Sequence, residues 1–363
     1  MAGKKTGLIL CANGGGLGHT AVLSWYGKFW LGGKLLTHVQ SVERQGRPSS
    51  DSAKTWLIKR LMKLVENECN IEDYPILKLV YPRDSVALSQ QEQERIMSEA
   101  PKLTYKDEIQ HPWDSYFGMD LAPLLEGRMA LDLGCFVGGR SITWYERYGL
   151  RQICGIDVLE LYVKAASRFA ESRSSRASFV CGKGENIPFA DNKFDAILSF
   201  DVFEHVTDVK NVLLECRRVL KKNGRLFVVF PSFYHPYEHH LSLVTLTPFL
   251  HYLFDGEELI ETYNDIVDER GADKSWWYRR KSRKLEEWER GNSINGMTKA
   301  QFRRLIGETN WIIYHEHNMP LLKTLAERHS VLRPIRYVLT PFAHLPRLEE
   351  MLCERIVYIL EKP

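Results

Sequence analysis

Between residues 128 and 231, short apolar runs alternate with stretches of helical periodicity, and no other feature of the chain narrows its fold as much. The runs are RMALDLG (128–134), RQICGID (151–157), ASFVCG (177–182), KFDAILSF (193–200) and RLFVVFP (225–231). Between them lie GRSITWYERYG, LELYVKAASRFAESR and DVKNVLLECRRVLKKNG. In the last of these, Val209, Val212, Leu213, Cys216, Val219 and Leu220 share one helical face, and Asn223-Gly224 supplies a stop. Strand–helix alternation predicts a mostly parallel sheet covered on both faces, because each crossover lays a helix over the strands. The alternation pauses over 232–296, then resumes with MTKAQFRRLIGET as a helix, NWIIYHEH (310–317) as a strand and CERIVYILEK as a last strand. A structureless loop of that length is rare inside a compact sheet, so 232–296 is expected to be a functional cap.

Composition excludes several classes. With 44% hydrophobic and 26% charged residues in 363, the chain reads as globular rather than disordered or fibrous. Lys and Arg number 49 against 46 Asp and Glu, so there is no global pull toward a polyanion, and no nucleic-acid partner is expected. Seven Cys without a CxxC pair fit a reducing compartment better than a disulfide or zinc framework. No apolar run approaches the ~20 residues that span a bilayer, and the apolar core of MAGKKTGLILCANGGG is too short for a signal peptide. A cytoplasmic location is the expectation. CANGGGLGH (11–19) lacks the Lys-Ser/Thr of a phosphate-binding loop and is read as a flexible terminus.

The chemistry concentrates in LDLGCFVGG (131–139), a glycine-rich turn between a strand and a helix. Such a turn lets backbone N–H groups approach a ligand and sets an anionic group at a helix N-terminus. The second strand ends in Gly155-Ile156-Asp157, and an acid placed about 20 residues after the glycines accepts hydrogen bonds from ribose hydroxyls. Asp157 could equally cap the following helix. The two features at this spacing point to a nucleoside-bearing cofactor.

The stretch from 128 to 231 resembles the class I S-adenosylmethionine-dependent methyltransferases. LDLGCFVGG resembles their first motif, GID their ribose-binding acid, GKGENIPFADNKFDAILSFDVFEHV the stretch through the fourth strand, and RRVLKKNGRLFVVFP the fifth. The late strand pair NWIIYHEH and RIVYILEK is similar to the family's closing hairpin. The resemblance implies a doubly wound α/β fold with a mostly parallel, seven-stranded, Rossmann-like sheet, and S-adenosyl-L-methionine as cofactor. Carried over by motif, Asp132, Gly134, Cys135 and Gly138 would lie under the methionine moiety, and Asp157 with Val158 at the ribose. Gly184 and Glu185 would flank the adenine, and Phe200 and Asp201 would end the fourth strand at the reaction centre. Two positions depart from the family pattern: Phe136 stands where a third glycine is usual, and Lys183 where an acid near the adenine amino group is common.

After the fifth strand, PSFYHPYEHHLSLVTLTPFLHYLF resembles a His-rich insertion of a bacterial subgroup of the family, which points to His240 and His251, then His239, as general base. Histidine titrates near neutrality and suits that work. A surface, capping or packing role is the alternative for each. No spacing is diagnostic of a metal. Glu204 and His205 lie in a motif that recurs in the family, with helix-start capping as the alternative for Glu204. KSWWYRRKSRKLEEWER (274–290), with seven Lys and Arg against three Glu, fits a solvated helix or a peripheral contact with an anionic membrane surface.

The expected organisation is therefore an N-terminal, largely helical lid or accessory region (1–118), a methyltransferase core (119–231 with 297–363) and a cap over the acceptor site (232–296). The expected reaction is O-methylation of a small-molecule, sugar or lipid-linked acceptor. A nicotinamide-dependent oxidoreductase shares the glycines and the acid but would carry a helix-borne Tyr-x-x-x-Lys or another hydride-transfer set, and none lies on a predicted helix. A non-catalytic protein on the same fold is the third reading, suggested by Phe136 and Lys183.

Overall fold

The computed structural model describes residues 51–66, 76, 79, 88–111, 113–238, 241, 244–270, 295–321, 334 and 346–363. Seven strands form one sheet in the order β3-β2-β1-β4-β5-β7-β6. They are β1 (Met129–Leu133), β2 (Gln152–Asp157), β3 (Ala177–Cys181), β4 (Phe194–Phe200), β5 (Leu220–Phe230), β6 (Ile312–Pro320) and β7 (Cys353–Glu361). The first five pair in parallel, while β7 runs antiparallel to both β5 and β6. The order reverses at β1/β4, and in open α/β sheets the crevice at such a switch point, beyond the carboxyl ends of the strands, is where ligands bind.

Helices cover both faces, as the near-continuous burial of the central strands requires. On one face α7 (Val209–Val219) and α10 (Lys299–Glu308) pack on Leu131, Leu133, Ile197, Leu226, Val228, Ile356 and Tyr358. Both are capped as their sequences suggest: Asp208 accepts from Asn211 N at 3.0 Å, and Thr298 and Gln301 form a capping box. On the other face α3 (Trp113–Phe117), α4 (Ala122–Leu125) and α5 (Gly139–Arg147) meet Leu198, Phe200, Phe227, Val357 and Ile359. The alternating residues of β7 thus divide between the two faces, the period of two that a strand imposes. Helix α6 (Glu160–Ser172) follows β2.

Two boundaries differ from the sequence expectation. Helix α7 ends at Val219, short of the Asn223-Gly224 stop, because Leu220 turns extended and pairs with Phe194 at a bulge in the β4–β5 register. The strand expected over 310–317 runs from Ile312 to Pro320, held by pairing with β7 as far as Cys353.

The N-terminal segment is in contact with the core. Helix α2 (Gln90–Ile109) crosses α5 so closely that a Cβ on Gly139 would lie 2.5 Å from Tyr105 N and 2.9 Å from Pro101 O. These are backbone atoms that cannot rotate away. Gly139→Ala is therefore expected to destabilise the protein by about 3 kcal/mol, read as a lower denaturation midpoint with early loss of amide protection in α2. Helix α1 (Asp51–Met62) packs instead on the segment that follows β5: Ile58 and Met62 share a core with Leu241, Val244, Leu250, Leu259 and Ile266. Its Lys59 and Lys63 pair with Glu269 of α9 (Gly256–Arg270), which follows the short α8 (Leu250–Leu253).

Candidate active site

The glycine turn and the acid of β2 are joined directly. Gly134 N and Cys135 N donate to Ile156 O, each at 2.9 Å, and Phe136 N donates to Asp157 Oδ2 at 3.0 Å. The other oxygen, Oδ1, accepts from Leu159 N at 3.0 Å, so Asp157 also organises the entry to α6. A carboxylate has about four lone-pair positions; two are taken by backbone, and the remainder suit the hydroxyls of a ribose. Asp157 is 6% exposed, and burial raises its carboxyl to about 6, against the two backbone bonds that pull it down.

The turn needs its glycines for both backbone conformation and packing. Gly134 and Gly138 lie at φ 77° and 81°, in the left-handed region. A Cβ on Gly138 would collide with Ala166 Cβ at 2.6 Å, and one on Gly134 with Val202 Cγ2 at 2.5 Å. Phe136, noted above as a departure from the resembled motif, lies at φ 51°, and its ring turns to meet Tyr162 at 4.7 Å, edge to face.

Other carried-over residues are placed as follows. Asp132 is buried; Ser141 Oγ donates to its Oδ2 at 2.6 Å, and Arg140 to its Oδ1 at 3.2 Å. Arg140 also donates to Gly134 O at 2.9 Å, so Asp132 acts on the turn through Arg140. Cys135 is buried, its thiol pushed well up by burial and by Asp157 and Asp132. Val158 O accepts from Cys181 Sγ at 3.4 Å. Gly184 lies near Val212 and Leu133, and Glu185 accepts from Thr207 N and Oγ1 at 3.1 and 2.9 Å, tying the loop after β3 to the one after β4. Lys183 forms an isolated antiparallel bridge with Asn186. Phe200 packs between Trp113 at 4.4 Å and Trp144 at 5.1 Å. Asp201 follows at φ 53°, ion-paired with Arg355 at 3.3 Å. Glu204 and His205 are both buried just beyond it.

Of the cap histidines, His239 and His240 lie outside the described residues, as does 274–290. His251 is half-buried, its Nε2 bonded to Phe233 O at 2.9 Å and its ring edge-on to Phe233 and Tyr252. A carbonyl only accepts, so Nε2 carries the proton and Nδ1 the lone pair. Burial lowers the pKa of this imidazole, while the bond to Phe233 and the charge of Glu238 oppose that. Among the described residues, no group of three or more His, Cys, Asp and Glu is placed to hold a metal ion, and no helix is long and apolar enough to cross a membrane.

Sequence patterns gave no warning of a buried set from the N-terminal helices. Glu108, at the end of α2, is pushed up to about 8 by burial, with Arg140 pulling it down and Asp132 adding to the rise. His111 is lowered to about 3 by burial, so its imidazole is neutral at pH 7. The signal available was helical spacing of polar residues toward an aromatic turn, which is indistinguishable from a solvated face until the helix docks. Because the folded Glu108 binds its proton more tightly than the unfolded one, its contribution to stability is present at acid pH and lost as pH rises from about 4.5 to 8. Glu108→Gln is expected to raise stability at pH 8 by about 1–3 kcal/mol and to leave it unchanged at pH 4, as read by denaturant titration at both values.

Residues 131–228 match the family described as methyltransferase domain. A sterol 24-C-methyltransferase of Gibberella zeae is 35% identical over 100 residues, covering 27% of this chain and 26% of that protein. A ubiquinone biosynthesis O-methyltransferase of Maricaulis maris is 31% identical over 110 residues, or 30% of this chain and 42% of its own length. The chain thus spans about a quarter to two fifths of these relatives. A solved S-adenosylmethionine-dependent methyltransferase from Mesorhizobium loti is 14% identical with a TM-score of 0.44, over 66% of this chain and 93% of that one. The matched segment holds the glycine turn and its bonded acid, and it is this segment of the chain that is similar to the methyltransferase domain family.

Proposed function

We propose that this protein transfers a methyl group from S-adenosylmethionine to an oxygen of a small-molecule, sugar or lipid-linked acceptor. The observation that carries the reading is the direct bonding of the glycine turn to Asp157, which leaves a buried carboxylate with acceptor capacity at the carboxyl end of β2, beside the turn that leaves β1 at the switch point of the sheet. Bound there, S-adenosylmethionine supplies an electrophilic methyl carbon. What the chain must do is orient and dehydrate. Asp157 would hold the ribose, the turn kept rigid by Arg140 and Asp132 would receive the methionine end, and the cap would exclude water. A cap histidine would take the acceptor hydroxyl's proton. His240 leads for this role, because the ring of His251 is engaged with Phe233 and Tyr252; His239 stands behind them. The relatives' names point to both carbon and oxygen acceptors, so the preference for oxygen rests on the His-rich cap.

Titration with S-adenosylmethionine, S-adenosylhomocysteine and NAD, followed by transfer of a tritiated methyl group to fractions of a cell extract, tests the reading. Binding of the first two with label in a small-molecule or lipid fraction supports it. Binding of NAD alone favours the oxidoreductase, and binding without transfer favours a non-catalytic role. Contact of the basic, aromatic stretch 274–290 with an anionic membrane would suit a lipid-linked acceptor.

A further inference from the structure

The last strand contributes a residue to the site that no motif flagged. In β7 the odd-numbered Val357 and Ile359 lie on the face covered by Trp113 and Phe117, and strand alternation puts Arg355 on that same face, one step past the β5 pairing at Ile356. There its Nε lies 3.3 Å from Asp201 Oδ1, with the two side chains 5% and 13% exposed. A second guanidinium nitrogen, Nη1, donates to Glu354 O at 2.9 Å, fixing the head from its own strand.

The ion pair fixes the side chain of Asp201. The residue stands at the end of β4 with φ 53°, a left-handed conformation that aspartate adopts more readily than most non-glycine residues, and its backbone is held from β5 through Asp201 N to Val229 O at 2.8 Å. Phe200, just before it, is wedged among Trp113, Trp144 and Phe117. Burial would lower the pKa of Arg355, but Asp201 first, then Tyr116, Glu354 and Glu238, hold it raised, so the guanidinium stays charged. Tyr116 belongs to α3, Asp201 to the β4 edge and Glu238 to the cap, so one cation sits where the three parts of the chain converge.

We propose that Arg355 is a positioning residue for Asp201, holding that carboxylate at the carboxyl edge of β4, where the methyl donor and its acceptor meet. The assignment rests on the methyltransferase reading. Arg355 acts through Asp201 and touches neither reactant.

The test uses the full chain with Arg355→Met, Arg355→Lys and the double variant Arg355→Met/Asp201→Asn. Three quantities are read: affinity for S-adenosylhomocysteine, methyl transfer per folded protein to the extract fraction labelled by the wild type, and the NMR resonance of bound S-adenosylmethionine carrying a 13C methyl group. Arg355→Met is expected to slow transfer about 30- to 100-fold and shift the methyl resonance, with S-adenosylhomocysteine affinity within about threefold of wild type. Arg355→Lys should recover part of the rate, because it keeps the charge and loses the planar fork. The double variant removes both charges together and should regain thermal stability without regaining rate. Unchanged transfer per folded protein in Arg355→Met, or a double variant that regains rate along with stability, overturns the assignment. A wild type that binds neither cofactor form sinks the methyltransferase reading and takes this assignment with it.

Discussion

Asp157→Ala is expected to weaken S-adenosylhomocysteine binding by about 1–3 kcal/mol, roughly five- to 150-fold, while shifting the melting temperature by only about 3 °C. The two halves of this expectation come from one balance. Asp157 accepts two backbone N–H groups, which stabilise its ionised form, yet burial outweighs them and its carboxyl rises to about 6. An acid with a folded pKa above its unfolded value of 3.8 loses stability as pH rises through that window, so at neutral pH the charge is a net cost to the fold. Alanine removes the cost together with the two bonds, and the effects largely offset. Ligand binding has no such compensation, because the ribose hydroxyls lose their acceptor. Wild-type affinity should accordingly fall below pH 6, by up to about tenfold per unit, as Asp157 takes a proton. Calorimetric titration from pH 5 to 8 checks both variant and slope. A large loss of stability with unchanged affinity would reduce Asp157 to a cap for α6.

His240→Ala should slow methyl transfer by about 10²- to 10⁴-fold with S-adenosylhomocysteine affinity unchanged, the signature of a lost general base. His251→Ala provides the contrast. Its ring is held by Phe233 O and by two aromatic edges, so its loss should lower stability by about 1–3 kcal/mol and reduce transfer only in proportion to the folded fraction. Stopped-time assays with tritiated donor, normalised to folded protein, separate the two. If His251→Ala loses turnover at full stability and His240→Ala does not, the base is His251, and Nδ1 is its reacting atom. In that case the acid limb of the rate profile should lie below the ordinary histidine value, since burial lowers the pKa of His251.

The sheet was readable because its signals are local. A strand covered on both faces must be apolar along its length, so LDLG, CGID, AILSF and LFVVF announce themselves without reference to partners. The turn and its acid were readable for a related reason: glycine at a left-handed position and a carboxylate at a strand end are spaced by the length of one βαβ step. Where the reading slipped, long-range pairing overrode local preference. Helix α7 gave up Leu220 to the β4 register, and Pro320 joined β6 because β7 reached it. The N-terminal residues were the least legible. Glu108, His111 and Tyr116 have nothing in sequence to separate them from surface polar residues, and only docking of α2 and α3 on the core buries them and moves their pKa values.

By itself, then, the sequence determined the sheet, the glycine turn and the acid paired with it, since each follows from periodicity or from a backbone conformation few residues adopt. Tertiary structure alone decided which charges meet. Arg355 is 154 positions from Asp201 along the chain, and Arg140 reaches back across the turn to Asp132. Such pairs are set by the crossing of strands and helices, and Coulomb and desolvation energies depend on distance in space and burial, neither of which is a property of order along the chain.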